Sequence, residues 1–184
     1  MSVARWHGGR RRRARALVTG SVLLGVGLLS ACTGQPGAAA VVDGTDLSVA
    51  DVQTATAELA PLYQGVTARD VLQVLIHEPA VVAFAAEHSV GVSGAQAADA
   101  LTGIAANVPE VGERTYSAPS LAVERYLLAT KALQALPGSA TILPELQQRL
   151  AAEKVAVSPR FGVLGDGNTI TDAVYPWLVA QKAG

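Results

Sequence analysis

The sequence predicts a mostly α-helical protein of about five helices, with two short β-strands near residues 40–43 and 154–157 that pair the ends of the body. Three observations lead to this fold class. Aromatic residues make up only 4% of the chain, while Ala, Leu, Val and Gln are abundant, which favours helices over a β-sandwich. Apolar residues recur at helical spacing in five separate stretches. Because a lone strand leaves its backbone groups unpaired, the two strands are expected to pair.

A capping residue precedes each of the first three predicted helices. Ser48 precedes a helix that ends near residues 61–65, and Thr67 precedes the most apolar helix, which continues to about residue 90. Ser93 precedes a third helix over 95–106. Hydroxyl side chains at such positions accept hydrogen bonds from the first free N–H groups of a helix. Pro79 lies inside the second helix, so we expect a kink over residues 75–78.

The last two predicted helices follow a connection over residues 107–119. The fourth helix begins at Ser117 or Ser120 and continues to residue 136, where Pro137-Gly138 breaks the chain. The fifth helix covers about 143–153. A turn at 165–168 follows the second strand, and the apolar end of the chain is expected to pack on the body. Its large side chains are Tyr175, Trp177 and Leu178.

The first 32 residues have the layout of an export signal. A cluster of arginines over 10–15 precedes the uncharged apolar stretch 16–29, which is shorter than the roughly 18 residues of a membrane-spanning helix. Leu29, Ser30, Ala31 and Cys32 then resemble a bacterial lipobox. This resemblance implies that the Cys32 thiol accepts a diacylglyceryl group and that a signal peptidase cleaves before it. An ordinary secretory signal, in which Cys32 is a small apolar residue, is the alternative.

We therefore expect three segments and an extracytoplasmic location, with the protein anchored to the plasma membrane by the lipid on Cys32. Residues 1–31 are the lipoprotein signal peptide, residues 32–40 are the lipidated cysteine and a flexible tether, and residues 41–184 are the helical domain with a C-terminal tail. The tether is small, uncharged and contains Gly and Pro. Two or three acyl chains give durable membrane anchoring, whereas one does not. The export route stays open.

The distribution of charge excludes nucleic acid as an expected partner. Six of the 14 Lys and Arg residues precede Cys32, and all 15 Asp and Glu residues follow it. The body therefore combines eight basic with 15 acidic residues, a net charge of −7. A protein that follows a phosphate backbone needs a basic surface, which this composition does not supply.

Two short motifs at the ends of the body resemble the SurA N-terminal domain family of chaperones and foldases. The opening segment "AVVDGTDLSVADVQ" matches that family at Val41, Val42, Gly44, Leu47 and Asp51-Val52, with Asp43 where Asn is usual. The closing segment "KVAVSPRFG" matches it at Val155 and Val157 and at Pro159, Arg160, Phe161 and Gly162, with Ser158 in place of Asn. Only 24 residues follow Arg160. We therefore expect no parvulin-type isomerase domain, which needs roughly 100 residues.

The resemblance implies a helical domain that holds unfolded or extended polypeptides outside the cytoplasm, without catalysis. Its expected partners are unfolded or secreted polypeptides, together with the membrane through the lipid anchor. Apolar contacts suit varied clients because they are not directional. The helix containing Pro79 and the helix over 121–136 are the expected walls of the binding crevice. The candidate peptide-binding residues are Leu75, Val82, Phe84, Leu121 and Leu128.

The sequence offers no candidate catalytic residue, metal ligand set or cofactor. His77 and His88 are 11 residues apart, about 16 Å along a helix, which is too far for one metal ion. We expect the Pro159–Gly162 motif to have a structural role. A membrane-anchored scaffold that binds one specific envelope protein is the alternative function.

Overall fold

The fold is mostly α-helical, as predicted, in the computed structural model, which describes residues 37–173. The pairing of the two predicted strands is confirmed as well. The elements in chain order are β1 (Ala38–Val42), β2 (Thr45–Ser48), α1 (Val49–Leu59), α2 (Ala68–Glu87), α3 (Gly94–Ala105), α4 (Ala118–Gln134), α5 (Ser139–Ala152), β3 (Val155–Val157), β4 (Val163–Leu164), a 3-10 turn (Asp166–Asn168) and β5 (Ile170–Thr171).

Strand β1 is the centre of a three-stranded antiparallel sheet in the order β2-β1-β3. Val41 pairs with Ala156 of β3 on one side and with Asp46 of β2 on the other. The sheet therefore joins the two ends of the helical body. Because β1 begins at Ala38, the last three residues of the predicted tether belong to the sheet.

Strand β2 was not predicted, although the turn before it has a clear signal. Asp43 and Gly44 both have positive φ, +47° and +86°, the backbone conformation of a tight hairpin turn. Asp43 thus lies in the turn rather than in the strand. Strand β2 is largely polar, and α1 begins at the residue that follows it. In sequence, residues 45–48 therefore resemble the cap of a helix.

The caps of the first three helices are those predicted. The amide of Asp51 donates to Ser48 Oγ at 2.9 Å. Thr67 and Ser93 each form a reciprocal capping box, with Asp70 and Gln96 respectively. Each box satisfies two backbone N–H groups that the first helical turn leaves free. Helix α2 is continuous through Pro79 and ends at Glu87, three residues before its predicted end.

Helix α5 begins four residues earlier than the predicted start at 143. Gly138, in the left-handed conformation, precedes it, and Pro144 is the sixth residue inside the helix. Proline has a helical φ but no N–H, so at this position one intrahelical hydrogen bond, to the carbonyl oxygen of Ala140, is missing. The predicted start at about 143 lies next to Pro144, and proline is common in the first turn of a helix.

The apolar side chains form two buried clusters. The first surrounds Leu59, Leu72 and Ile76 and includes residues of β1, α1, α2, α3 and α4. The second surrounds Phe84, Leu133 and Leu146 and includes residues of α2, α4 and α5. Helices α2 and α4 contribute to both clusters and so connect them. Among residues 37–173, we find no helix long and apolar enough to cross a membrane.

Candidate peptide-binding groove

An apolar groove of about 300 Å³ opens between the end of α1, the loop before α2, and helices α2 and α4. Leu59, Val71 and Val123 form its buried floor. The residues that line the groove are Leu59, Tyr63, Gln64, Gly65, Val66, Asp70, Val71, Val74, Val123 and Leu127. Both predicted walls, the Pro79 helix and the 121–136 helix, therefore contribute to it.

Leu127 is the most exposed apolar side chain of the groove. It keeps 39% of its surface accessible, although it lies one helical turn after buried Val123 on the same face of α4. Only Leu127 and Val163 are exposed among the large apolar residues of 37–173. An exposed leucine beside an apolar groove is an arrangement that can accept an apolar side chain of a partner.

A part-buried hydrogen bond fixes the position of Tyr63 in the lining of the groove. Tyr63 Oη donates to Glu124 Oε2 at 2.5 Å, and Glu124 is almost fully buried. Burial, together with this hydrogen bond and the charge of Glu124, raises the pKa of Tyr63. Tyr63 thus stays a neutral donor, and its ring has a fixed position against α4.

The structure places two of the five predicted peptide-binding residues inside the protein. Leu75 is 6% exposed and belongs to the first cluster, and Phe84 is fully buried in the second. The prediction that they face a crevice is corrected by this burial, because both side chains fill space between helices. Their apolar spacing along α2 reflects core packing.

The other three predicted residues are half-buried and do not line the groove. Val82 packs on the second cluster, Leu121 packs on the first, and Leu128 lies beside Leu127 on α4. Sequence reasoning did not select Leu127. The signal that could have found it is its four-residue spacing from Val123, but the adjacent leucines at 127 and 128 look alike in sequence.

A second, larger groove of about 690 Å³ lies at the C-terminal end of α3. Thr102 and Ala105 of α3 line it, together with residues of the loop that leads to α4, Pro109 and Tyr116 among them. Arg114 is held in that loop by donating to the carbonyl oxygen of Val111. This groove lies away from the predicted walls.

Glu58 links α1 to the start of α4 through three hydrogen bonds. The carboxylate accepts from Ser120 Oγ at 2.5 Å and from the amide and hydroxyl of Ser117 at 2.9 and 2.8 Å. Burial alone would raise the pKa of Glu58, but the hydrogen bonds from Ser120 and Ser117 hold it below its usual range. Ser117 is the N-cap residue of α4, yet its side chain accepts no hydrogen bond from a backbone N–H of the helix and donates to Glu58 instead.

Glu78 and Arg125 form an ion pair between α2 and α4, with 2.6 Å between Oε1 and the guanidinium. Burial raises the pKa of Glu78, and the adjacent Arg125 opposes that rise. Since both helices form the groove, this pair and Tyr63–Glu124 are two polar contacts that fix the position of α4.

The Pro159–Gly162 motif lies between β3 and β4 and packs against the start of α2. Phe161 packs into the first cluster, and Arg69 at the start of α2 donates to its carbonyl oxygen. The guanidinium of Arg160 lies 5.3 Å from the centre of the Phe161 ring. Gly162 has a φ of +131° and contacts the backbone of Thr171.

The two histidines of α2 have separate surroundings. His77 is buried and hydrogen-bonded to Glu153 and Gln73. His88 is half-buried at the end of the helix, and its ring centre is 4.5 Å from that of Phe84. Within 37–173 no three His, Cys, Asp or Glu side chains are grouped to hold a metal ion.

Several predicted residues lie outside the described part of the chain. These are the lipobox residues Leu29, Ser30 and Ala31, the predicted lipid attachment residue Cys32, and the apolar tail residues Tyr175, Trp177 and Leu178. The signal peptide and the lipid anchor therefore stay predictions.

Comparison with known proteins finds no matching protein-family model, no similar curated protein and no similar solved structure. The resemblance to the SurA N-terminal domain family therefore depends on the motifs at 41–52 and 155–162. What the fold adds is the position of both motifs: one forms the centre of the sheet and the start of α1, and the other forms β3 and the segment that packs beneath α2.

Proposed function

We propose that this chain is a cell-envelope lipoprotein whose SurA-like helical domain holds unfolded or extended polypeptides without catalysing a reaction. The observation that carries the proposal is the apolar groove beside exposed Leu127. A volume of about 300 Å³ accommodates one or two apolar side chains, and an extended client presents such side chains at every second residue. Client binding at the groove is then a set of weak apolar contacts.

The acidic body supports the same class of partner. Asp70 is at the rim of the groove, where its carboxylate is committed to the capping box of α2. The eight basic and 15 acidic residues after Cys32 disfavour adhesion of the body to anionic lipid headgroups. The groove thus stays available to polypeptides near the membrane.

The test of binding uses the full-length protein in lipid nanodiscs, titrated with a panel of unrelated unfolded polypeptides. Binding is measured by fluorescence anisotropy and client aggregation by light scattering. We expect Leu127→Glu to weaken binding about tenfold or more, because burying a leucine side chain contributes about 1.5–3 kcal/mol.

The matched control is Val163→Glu, which adds the same charge at the other exposed large apolar side chain of residues 37–173. This variant is expected to bind clients like the unchanged protein. Equal losses of client binding in both variants would show that the added charge causes the effect, and would contradict binding at the groove. A folded protein that binds no client in the panel would contradict the chaperone function itself.

The proposed lipid anchor has its own test. Expressed in a bacterial host, the protein is expected to partition into the detergent phase and to carry a lipid-modified N-terminal cysteine by mass spectrometry. Cys32→Ser is expected to abolish both, since only a thiol forms the thioether, whereas Ser30→Ala keeps a small residue and should change neither. Lipid modification that persists in Cys32→Ser would contradict the lipobox.

The second candidate function is a membrane-anchored scaffold for one specific envelope protein. The burial of Leu75 and Phe84 favours it, because a closed core leaves a smaller apolar surface than a broad chaperone crevice. In the nanodisc titration, a scaffold is expected to ignore the whole panel and yet to bind a single folded envelope protein in a Leu127-dependent manner.

A further inference from the structure

A buried hydrogen-bond network joins α2, the end of α5 and the segment that follows β3. Gln73 and His77 of α2, one turn apart, and Glu153 just after α5 are its side chains. His77 Nδ1 lies 2.7 Å from Glu153 Oε2, and Gln73 Nε2 lies 2.7 Å from His77 Nε2. The other partners of Gln73 are backbone groups of Asn168 and Ile170. We call residues 163–171 (β4, the 3-10 turn and β5) the C-terminal hairpin.

The backbone of the hairpin determines which way the Gln73 amide faces. The amide of Ile170 donates to Gln73 Oε1 at 2.6 Å, and Gln73 Nε2 donates to the carbonyl oxygen of Asn168 at 3.0 Å. The opposite orientation would place N–H against N–H and oxygen against oxygen. The Gln73 nitrogen therefore faces His77, and its second hydrogen is directed at Nε2 of the imidazole.

This orientation also determines the proton on His77. Nε2 accepts from Gln73 and so carries no proton, while Nδ1–H donates to the Glu153 carboxylate. The network is complete only with a neutral imidazole. A second proton on His77 would face a Gln73 N–H, and a rotation of Gln73 to accept it would break both bonds to the hairpin.

The charged groups around the pair have defined positions. Just after α5, Glu153 contacts His77, while Arg149 of α5 is engaged with Glu87 and Glu145. From the β1–β2 turn, Asp43 adds negative charge near Glu153. In the hairpin, Asp166 is exposed, and beyond it Asp172 pairs with Arg69. Burial raises the pKa of Glu153, the hydrogen bond and charge of His77 oppose that rise, and the charge of Asp43 adds to it.

We propose that the Gln73–His77–Glu153 network is an acid-sensitive clasp that holds the C-terminal hairpin on α2 at neutral pH and releases it when His77 is protonated. Release uncovers Phe161 and Ile170, which the hairpin and its preceding segment contribute to the first cluster. The inference does not depend on the proposed function.

The test is hydrogen–deuterium exchange of the full chain at pH 7.5 and 5.0, read by mass spectrometry on peptides covering 163–171. After correction for the intrinsic exchange rate, we expect protection of this segment to fall about tenfold or more at pH 5.0, with α3 unchanged. In His77→Gln, the new side-chain amide can donate to Glu153 and accept from Gln73, and it does not titrate. The fall in protection of the hairpin at pH 5.0 is therefore expected to disappear.

Two further variants separate the clasp from general acid effects. Gln73→Glu can accept from a protonated His77 and from the Ile170 amide, but it loses the donor to the Asn168 carbonyl oxygen. Its hairpin is therefore expected to be less protected than the unchanged one at pH 7.5 and to gain protection at pH 5.0. His88→Gln is the matched control on the same helix and should behave like the unchanged protein. The proposal would be overturned if the hairpin of the unchanged protein were equally protected at both pH values, or if His77→Gln lost the same protection at pH 5.0.

Discussion

At Gly162 the backbone leaves no room for a side chain. A Cβ there would lie 2.2 Å from the carbonyl oxygen of Thr171, and φ is +131°. We predict that Gly162→Ala lowers the free energy of unfolding by about 2 kcal/mol or more, since both overlap and backbone strain contribute.

Gly65→Ala is the control for the Gly162 prediction. Its φ is +75°, but no atom lies within 4 Å of the added Cβ, so the substitution measures the positive φ alone. Urea unfolding of both variants is the measurement. Similar losses of stability in the two variants would contradict the close approach of Gly162 to the backbone of β5.

The Glu58 carboxylate predicts how acid acts on the junction of α1 and α4. Because its pKa in the folded protein lies below the unfolded value, its contribution is present above that unfolded value and is lost as the pH falls through the folded one. Ser120→Ala removes the shortest of its hydrogen bonds. We expect a loss of about 1–2 kcal/mol at pH 7.

The pH dependence distinguishes this hydrogen bond from simple packing at Ser120. In Ser120→Ala the loss of stability should shrink as the pH falls below about 4, where the unchanged protein also loses the charged carboxylate. Thermal unfolding between pH 3 and pH 7 measures it. A loss of constant size over that range would mean that Glu58 does not contribute as an anion.

At the scale of the element, the end of α5 depends on a residue outside the helix. Asn168 Nδ2 donates to the carbonyl oxygens of Leu150 and Glu153, each at 2.9 Å. The last carbonyls of a helix have no partner within it. We predict that Asn168→Gly lowers the free energy of unfolding by about 1–2 kcal/mol because both hydrogen bonds are lost.

Asn168→Ala is the comparison, because the φ of Asn168 is +57°. Alanine loses the same two hydrogen bonds and also adopts a conformation that glycine and asparagine tolerate better, which costs up to about 1 kcal/mol more. Chemical unfolding ranks the two variants. An Asn168→Ala variant as stable as the unchanged protein would contradict the capping role.

The elements differ in how well the sequence predicts them. The starts of α1, α2 and α3 are predictable because a hydroxyl and a polar residue three positions later bond locally. The start of α5 and the existence of β2 are not, since Pro144 resembles a helix start and β2 lacks an apolar pattern. The start of α5 depends on Gly138, and β2 forms because it pairs with β1.

At the scale of the whole molecule, α2 and α4 connect two buried clusters, so we predict that the body unfolds cooperatively. Phe84→Ala in the second cluster is expected to cost about 3–5 kcal/mol, and Leu72→Ala in the first about 2–5 kcal/mol. Both should lower the same transition, because neither cluster can open without separating the two helices.

The measurement compares unfolding by far-ultraviolet circular dichroism with exchange of peptides from α1 and from α5, which report on the first and second clusters. Coincident transitions in both variants are the expected outcome. If Phe84→Ala exposes α5 while α1 stays protected, the two clusters are independent and α2 does not couple them.

The candidate groove was predictable only in outline. The two helices that form its walls follow from their apolar pattern, but burial removes Leu75 and Phe84 from the surface and exposes Leu127 instead of its neighbour. An apolar pattern identifies the face of a helix that packs, without showing which part of that face another helix covers. Packing decides which of the adjacent leucines, Leu127 or Leu128, borders the groove.

The sequence by itself determines the class of fold, the caps of α1 to α3 and the lipobox prediction, because these depend on local hydrogen bonds, spacing and composition. It also predicts that β1 pairs with β3, because a lone strand leaves its backbone groups unpaired. Only the tertiary structure decides that Gln73, His77 and Glu153 meet the C-terminal hairpin, and that Leu127 borders a groove. Gln73 and Asn168 are 95 positions apart, yet they hydrogen-bond directly. Such contacts arise from how α2, α4 and α5 pack, which no local pattern encodes.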